Sequence, residues 1–139
     1  MALTIEKLEL WSGEIRDEVG GLAAVLDPLV AAGADFSFVI ARRQPDKPGT
    51  GIVFLGGLRG AKQAKAAESA GLAKSSTVSA LRVEASDKPG LLQTLLAKLR
   101  PSGISLRGVS ASVIGNRCAI LLAFGTAADR DKSAQLLRG

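Results

Sequence analysis

The sequence predicts an α+β fold made from two copies of one small unit, with boundaries at 1–74 and 75–139. Three observations lead there. Placing Gly20 over Gly90 without a gap aligns nine identities: Glu14/Glu84, Asp17/Asp87, Gly20/Gly90, Leu22/Leu92, Leu26/Leu96, Leu29/Leu99, Gly33/Gly103, Val39/Val109 and Ala41/Ala111. The offset of 70 residues exceeds the roughly 20 to 50 of a solenoid repeat and suits a duplicated globular module. Apolar residues make up 47% of the chain and the mean hydropathy is +0.24, so a core can form.

The elements follow in order. Residues 5–15 read as a strand with a fault: Leu8 and Leu10 share one parity, Trp11 and Ile15 the other. A bulge near residue 10, or halves that meet different neighbours, accounts for the flip. A helix over 18–32 follows from Leu22, Val25, Leu26 and Leu29 at i, i+3, i+4 and i+7, with Asp17 and Glu18 at its positive end and Gly33 at its stop. Pro28 removes one helical hydrogen bond and is expected to kink it. A strand at 36–43, a turn at 45–49, a strand at 52–55 and an Ala-rich helix at 60–70 complete the first copy.

The second copy repeats the order. A strand at 78–85 alternates Leu81 and Val83 against Arg82 and Glu84, and a helix at 90–100 carries a stripe of Leu92, Leu95, Leu96 and Leu99. A strand at 106–113 turns through Gly115-Asn116 into the apolar strand 118–124. The last helix starts at Thr126, whose hydroxyl caps it with Asp129 three residues on. Each copy is one strand short of the split-βαβ, ferredoxin-like module. Residues 75–80 are expected to supply the fourth strand of the first copy. The N-terminal extension or a neighbouring chain is left for the second.

Composition narrows the chemistry. With no His, the commonest general base and metal ligand is missing, and a Ser-His-Asp triad or Cys-His pair is excluded. Cys118 is the single cysteine and sits in an apolar run, which reads as a buried, inert thiol in a reducing compartment. No cofactor or metal set is evident. No signal peptide is visible, and no run approaches the ~18 apolar residues of a membrane span, so a cytoplasmic protein is expected. The net charge of +5 and pI near 9.8 raise nucleic-acid binding, but the basic residues are scattered. Arg42-Arg43 is the only adjacent pair, and Arg59, Lys62 and Lys65 read as a solvated helix face.

The duplicated motif is Asp87-Lys88-Pro89-Gly90-Leu91-Leu92, a leucine-striped helix, then Gly103-Ile104-Ser105-Leu106. It resembles the ACT domain, an amino-acid-sensing module of regulators of amino-acid metabolism. There an Asp-x-Pro-Gly-x-Leu turn precedes the first helix, and a Gly-Ile-Asn-Ile-like segment opens the second strand. The first copy is more degenerate: Asp17-Glu18-Val19-Gly20-Gly21-Leu22 has Val19 in place of Pro, and Gly33-Ala34-Asp35-Phe36 has Ala34 in place of Ile.

The resemblance implies two ferredoxin-like modules side by side, an antiparallel sheet with helices on one face, and no enzymatic activity. It implies a small amino acid bound between the repeats, with turn 87–92 working with Asp35 and Phe36, and turn 17–22 with Ile104 and Ser105. Physical reasoning points to the same turns. Glycine lets backbone approach a ligand, and the first amides of the next helix are unpaired at its positive end, which suits a carboxylate. A plainer reading makes Asp17 and Asp87 helix caps only.

Phe36, Phe38 and Ile40 are expected on the helix-free face of their sheet, and Val39 and Ala41 toward the helices; Leu106, Gly108 and Ser110 match the first set by position. A homo-oligomer or a partner enzyme follows from such an apolar set. The rival readings are a ligand-free subunit that oligomerises or docks on a metabolic enzyme, and nucleic-acid binding.

Overall fold

The flip in alternation near residue 10 marks the point where the chain changes sheet. The computed structural model describes residues 2–139. Strand β1 (Thr4–Leu8) pairs antiparallel with β6 (Ser79–Ser86), placing Thr4 opposite Glu84 and Leu8 opposite Ala80. After Glu9 the chain enters β2 (Leu10–Arg16), which pairs in a second sheet with β4 (Thr50–Gly56), Leu10 opposite Gly56. The two halves of the predicted strand therefore have different neighbours, which is why their buried parities differ.

Glu9–Ser75 forms one unit, while Ser76–Gly139 forms the other with β1. The first copy is thus inserted between the N-terminal strand and the rest of the second unit, where the sequence division had placed residues 1–74 together.

In the Glu9–Ser75 unit the order along the chain is β2, α1 (Gly21–Ala31), β3 (Phe38–Arg43), β4, α2 (Gly60–Ser69) and β5 (Ala73–Lys74). Its sheet order is β3-β4-β2-β5. Helix α1 runs unbroken through Pro28. Both helices end alike: the amides of Gly33 and Ala34 bond Val30 and Leu29, and those of Gly71 and Leu72 bond Glu68 and Ala67. This double closure needs a left-handed residue, supplied by Gly33 and Gly71. The fourth strand comes from Ala73–Lys74, not from residues 75–80, because Ser79 onward is committed to the central strand of the other sheet.

The second unit contains β6, α3 (Leu91–Leu99), a single 3-10 turn (Arg100–Ser102), β7 (Leu106–Ile114), β8 (Arg117–Phe124) and α4 (Ala127–Arg138). With β1 its sheet order is β1-β6-β8-β7, the order of the first sheet read from its other end. Thr126 Oγ1 accepts from the Asp129 amide at 3.1 Å and starts α4. Each module is therefore βαββαβ-like, with a four-stranded antiparallel sheet.

One core lies in each unit, between the helices and one sheet face. Leu81, Val83, Ile120, Leu122 and Phe124 meet Leu91, Leu95 and Leu99 of α3 and Ala134 and Leu137 of α4. Trp11, Val53 and Leu55 meet Leu29 of α1 and Ala67 of α2. Each fully buried large aliphatic side chain contributes about 1.5–3 kcal/mol. Cys118 is buried in the first of these cores.

Two expectations about sheet faces need correction. A bulge between Leu106 and Gly108 sets Leu106 opposite Phe124, so Leu106 packs on the core and not with Gly108 and Ser110. Phe36 precedes β3 and also packs into its core. Phe38 and Ile40 stay on the helix-free face, Ile40 opposite Phe54, while Val39 and Ala41 oppose the core residues Leu55 and Val53.

Candidate functional site

Both glycine turns have the same backbone. Gly20 has φ 80° and ψ 0°; Gly90 has φ 81° and ψ 7°. The Gly21 amide donates to the Glu18 carbonyl at 3.0 Å, and the Leu91 amide to the Lys88 carbonyl at 3.1 Å. The first helical bond follows in each, Ala24 to Gly20 at 3.0 Å and Thr94 to Gly90 at 2.9 Å. Replacing Pro89 by Val19 leaves this geometry intact.

The consequence is a pair of free amides in each turn. Leu22 and Ala23 in α1, and Leu92 and Gln93 in α3, precede the first acceptor a helix can offer. No side chain caps either helix. The capping role considered for Asp17 and Asp87 is therefore not filled: both lie before the αL glycine that holds the cap position. Asp17 pairs with Arg43 at 2.8 Å, and its amide bonds the Gly49 carbonyl. The Asp87 amide bonds the Asn116 carbonyl at 2.8 Å, tying the turn to the β7–β8 hairpin.

A Cβ built on Gly20 or Gly90 meets nothing within 4 Å, so the space in front of each glycine is open. Gly21 differs. It is buried, and a Cβ there would run into the Arg16 carbonyl oxygen, so it serves close packing of helix on strand. Glu18, Val19, Lys88 and Pro89 are exposed on the turns, and Leu91 is buried beneath the second one. Leu22 and Leu92 are half-buried against their cores.

The remaining positions fall at the strand entries of their own units. Asp35 is exposed and Phe36 half-buried in Glu9–Ser75; Ile104 packs against the other core and Ser105 is exposed beside it. Thus turn 17–22 shares a unit with Asp35 and Phe36, and turn 87–92 with Ile104 and Ser105.

Three participants were not read from the sequence. Thr94 Oγ1 donates to the Gly90 carbonyl at 2.9 Å and stiffens the second turn; its place four residues after the glycine was the available signal. Arg43 and Asn116 reach the turns only through strand register, which the sequence does not display.

The electrostatics separate the turns. Glu18 occupies in the first the place that Lys88 holds in the second. A carboxylate approaching the helix N-terminus meets a cation at turn 87–92 and an anion at turn 17–22. In the strand leading to each turn, the equivalent residues Glu14 and Glu84 both lie below the ordinary carboxylate range. Hydrogen bonds from Lys47 lower Glu14, and those from Arg82 and then Arg117 lower Glu84. Among the described residues no group of three or more acidic, Cys or His side chains converges to hold a metal. Among them, too, no helix is long and apolar enough to cross a membrane.

Solved structures share this fold. A protein of Bacteroides thetaiotaomicron superposes with a TM-score of 0.73 at 15% identity, covering 98% of this chain and 88% of that one. The ligand-free regulatory subunit of aspartate kinase from Thermus thermophilus gives 0.66 at 12% identity, with 99% and 95% covered. A structure of aspartokinase α and β subunits gives 0.63 at 12%, again with 99% and 95% covered. Neither a protein-family model nor a curated protein sequence matches the chain. At these identities the likeness establishes the fold alone, two ferredoxin-like α+β modules.

Proposed function

We propose that this chain is a non-enzymatic regulatory protein that binds a small amino acid at its glycine turns, above all at turn 87–92. The observation that carries the reading is the backbone shared by the two turns, each with a left-handed glycine facing open space and two unpaired helix amides behind it. Those amides suit an α-carboxylate, and Lys88 adds a cation at the second turn. By the resemblance to ACT domains, the ammonium is met by a strand entry of another module. Asp35 with Phe36, and Ile104 with Ser105, are the strand entries that such a turn would use. Occupancy regulates a partner only if the ligand has different affinities for two arrangements.

Calorimetry and thermal shift against the twenty amino acids test this. A single saturable response that is lost in Gly90→Val supports the site. No response to any of them removes the sensor reading.

A second reading is favoured by the shared fold with a regulatory subunit of aspartate kinase: a subunit that docks on a metabolic enzyme without a ligand of its own. It predicts capture of a kinase-type enzyme of amino-acid metabolism with no amino-acid dependence. Nucleic-acid binding by the basic surface ranks last. It predicts affinity that collapses with salt.

A further inference from the structure

The charge of this chain is unevenly divided. Glu9–Ser75 carries eight Lys and Arg against eight Asp and Glu, while the other unit carries ten against five. The whole net charge of +5 therefore belongs to the second unit. Two carboxylates there are shared by four cations: Asp131 pairs with Lys7 at 3.1 Å and Arg130 at 3.0 Å, and Glu84 with Arg82 at 3.1 Å and Arg117 at 3.3 Å. Four cations are left on the helix layer, Lys98, Arg100, Lys132 and Arg138. All are exposed, and among the described residues none is in an ion pair.

The fold gathers them. Helices α3 and α4 pack against each other, and Lys98 Nζ donates to the Gly139 backbone oxygen at 3.4 Å. Arg138 directly precedes Gly139, and Arg100 follows Lys98 by two residues. Lys132 lies about 9 Å back from Arg138 along α4. Helix α3 has no acid, and Asp129 stands in the first turn of α4, at its other end. The fold itself does not require these charges: Pro28 and Val30 of α1 occupy the positions that match Lys98 and Arg100. Cations in a last turn also complement the helix dipole, a role open to Lys98 and Arg138, which both bond backbone oxygens. That role does not cover Lys132, which sits mid-helix.

We propose that this face of α3 and α4 docks an acidic segment of a partner protein. No neighbouring carboxylate cancels its attraction for such a segment. The exposed side chains of α3 and α4 larger than Ala are all polar or charged, so nothing there anchors in a bilayer. Phe124, the unit's single aromatic residue, is fully buried, so no ring is offered for stacking on bases. What the face does offer is ammonium groups and guanidinium forks, which pair with carboxylates. The inference uses neither glycine turn. It rests on the docking reading given above, whose own test, capture of an enzyme, succeeds or fails apart from the one that follows.

Fluorescence anisotropy of the full chain with a labelled oligo-glutamate peptide tests it, beside a DNA duplex and phosphatidylserine vesicles. The wild type is expected to bind the peptide saturably and more tightly than either of the others. R100E/K132E alters two side chains that make no bond in the fold and weakens binding by roughly tenfold or more. K62E/K65E makes an equal change of charge on α2 of the first unit and stays within about twofold of wild type. R100Q/K132Q removes charge without reversing it and gives an intermediate loss. Absence of saturable peptide binding, tighter binding to the duplex or the vesicles, equal losses in R100E/K132E and K62E/K65E, or wild-type affinity in R100Q/K132Q each overturns the proposal.

Discussion

The turns before α1 and α3 share a backbone and almost nothing else. Pro89 stands where the first turn has Val19, Lys88 stands where it has Glu18, and the Arg43 that pairs with Asp17 is matched in sequence by Val113. Gly20 and Gly90 match, as do the half-buried Leu22 and Leu92, whereas the buried Leu91 beneath the second turn is matched by the buried Gly21 of the first. A turn of this kind is therefore specified by one left-handed position followed by one buried position, and the exposed residues before them are free to diverge. Divergence of those residues gives the two turns different electrostatic character on one scaffold.

The largest expected effect bears on the buried leucines near the far ends of α1 and α3. Leu29→Ala and Leu99→Ala remove equivalent buried leucines, and each is expected to cost about 2–5 kcal/mol in chemical denaturation. Costs that differ by more than that range would show that the two cores are not equivalent in packing. Next come the glycines. Gly20→Val and Gly90→Val have open space for the side chain but impose a left-handed conformation, at about 1–2 kcal/mol each. Equal losses of stability, with loss of amino-acid binding only in Gly90→Val, would confirm that the second turn is the functional one.

Exchanging the intervening residue gives a smaller change. Val19→Pro is expected to stabilise by about 0.4–1 kcal/mol and Pro89→Val to destabilise by a similar amount, because the turns match and proline restricts the unfolded chain. If Val19→Pro destabilises, the backbones differ at that residue despite their common hydrogen bonds.

The smallest effect is on pH dependence. Glu14 and Glu84 titrate lower in the folded protein than in the unfolded chain, so the unfolded state binds the proton more readily. Their contribution is present above the unfolded carboxylate pKa and is lost as pH falls through the folded one. Glu84→Gln should flatten the acid limb of a thermal-melt series, as should Glu14→Gln; an unchanged limb in either breaks the equivalence of the pair.

Much of this was legible. The long elements announced themselves because 3.6-residue and two-residue periods dominate wherever one face is buried, as in the leucine stripe of α3 and the alternation of β6. The glycine turns were legible because an offset of 70 repeats them. The short strand β5 was not, since two residues carry no period, and the assignment fell on residues 75–80 instead. The Arg107 bulge was hidden for a similar reason. One extra residue reverses the facing of Leu106 without changing which residue types are present. The Asp17–Arg43 pair needs the register of β3 on β4 and β4 on β2, which only the assembled sheet supplies. The outer strand of the second unit was legible only as an open question, and Thr4–Leu8 answers it.

That answer has a bearing on synthesis. Residues 4–8 leave the ribosome before the inserted module, and their partners at 80–84 arrive only after it. The inserted module can close early, because its ends meet: the Ser75 amide bonds the Leu10 carbonyl at 2.7 Å. Translation therefore finishes the inner body while the leading segment waits, and the outer body is sealed by a join spanning some 80 positions of chain. Such a distant closure is slow. Shortening the delay, by moving that segment to the far end through circular permutation, should quicken maturation of the outer body and leave the inner one unaffected.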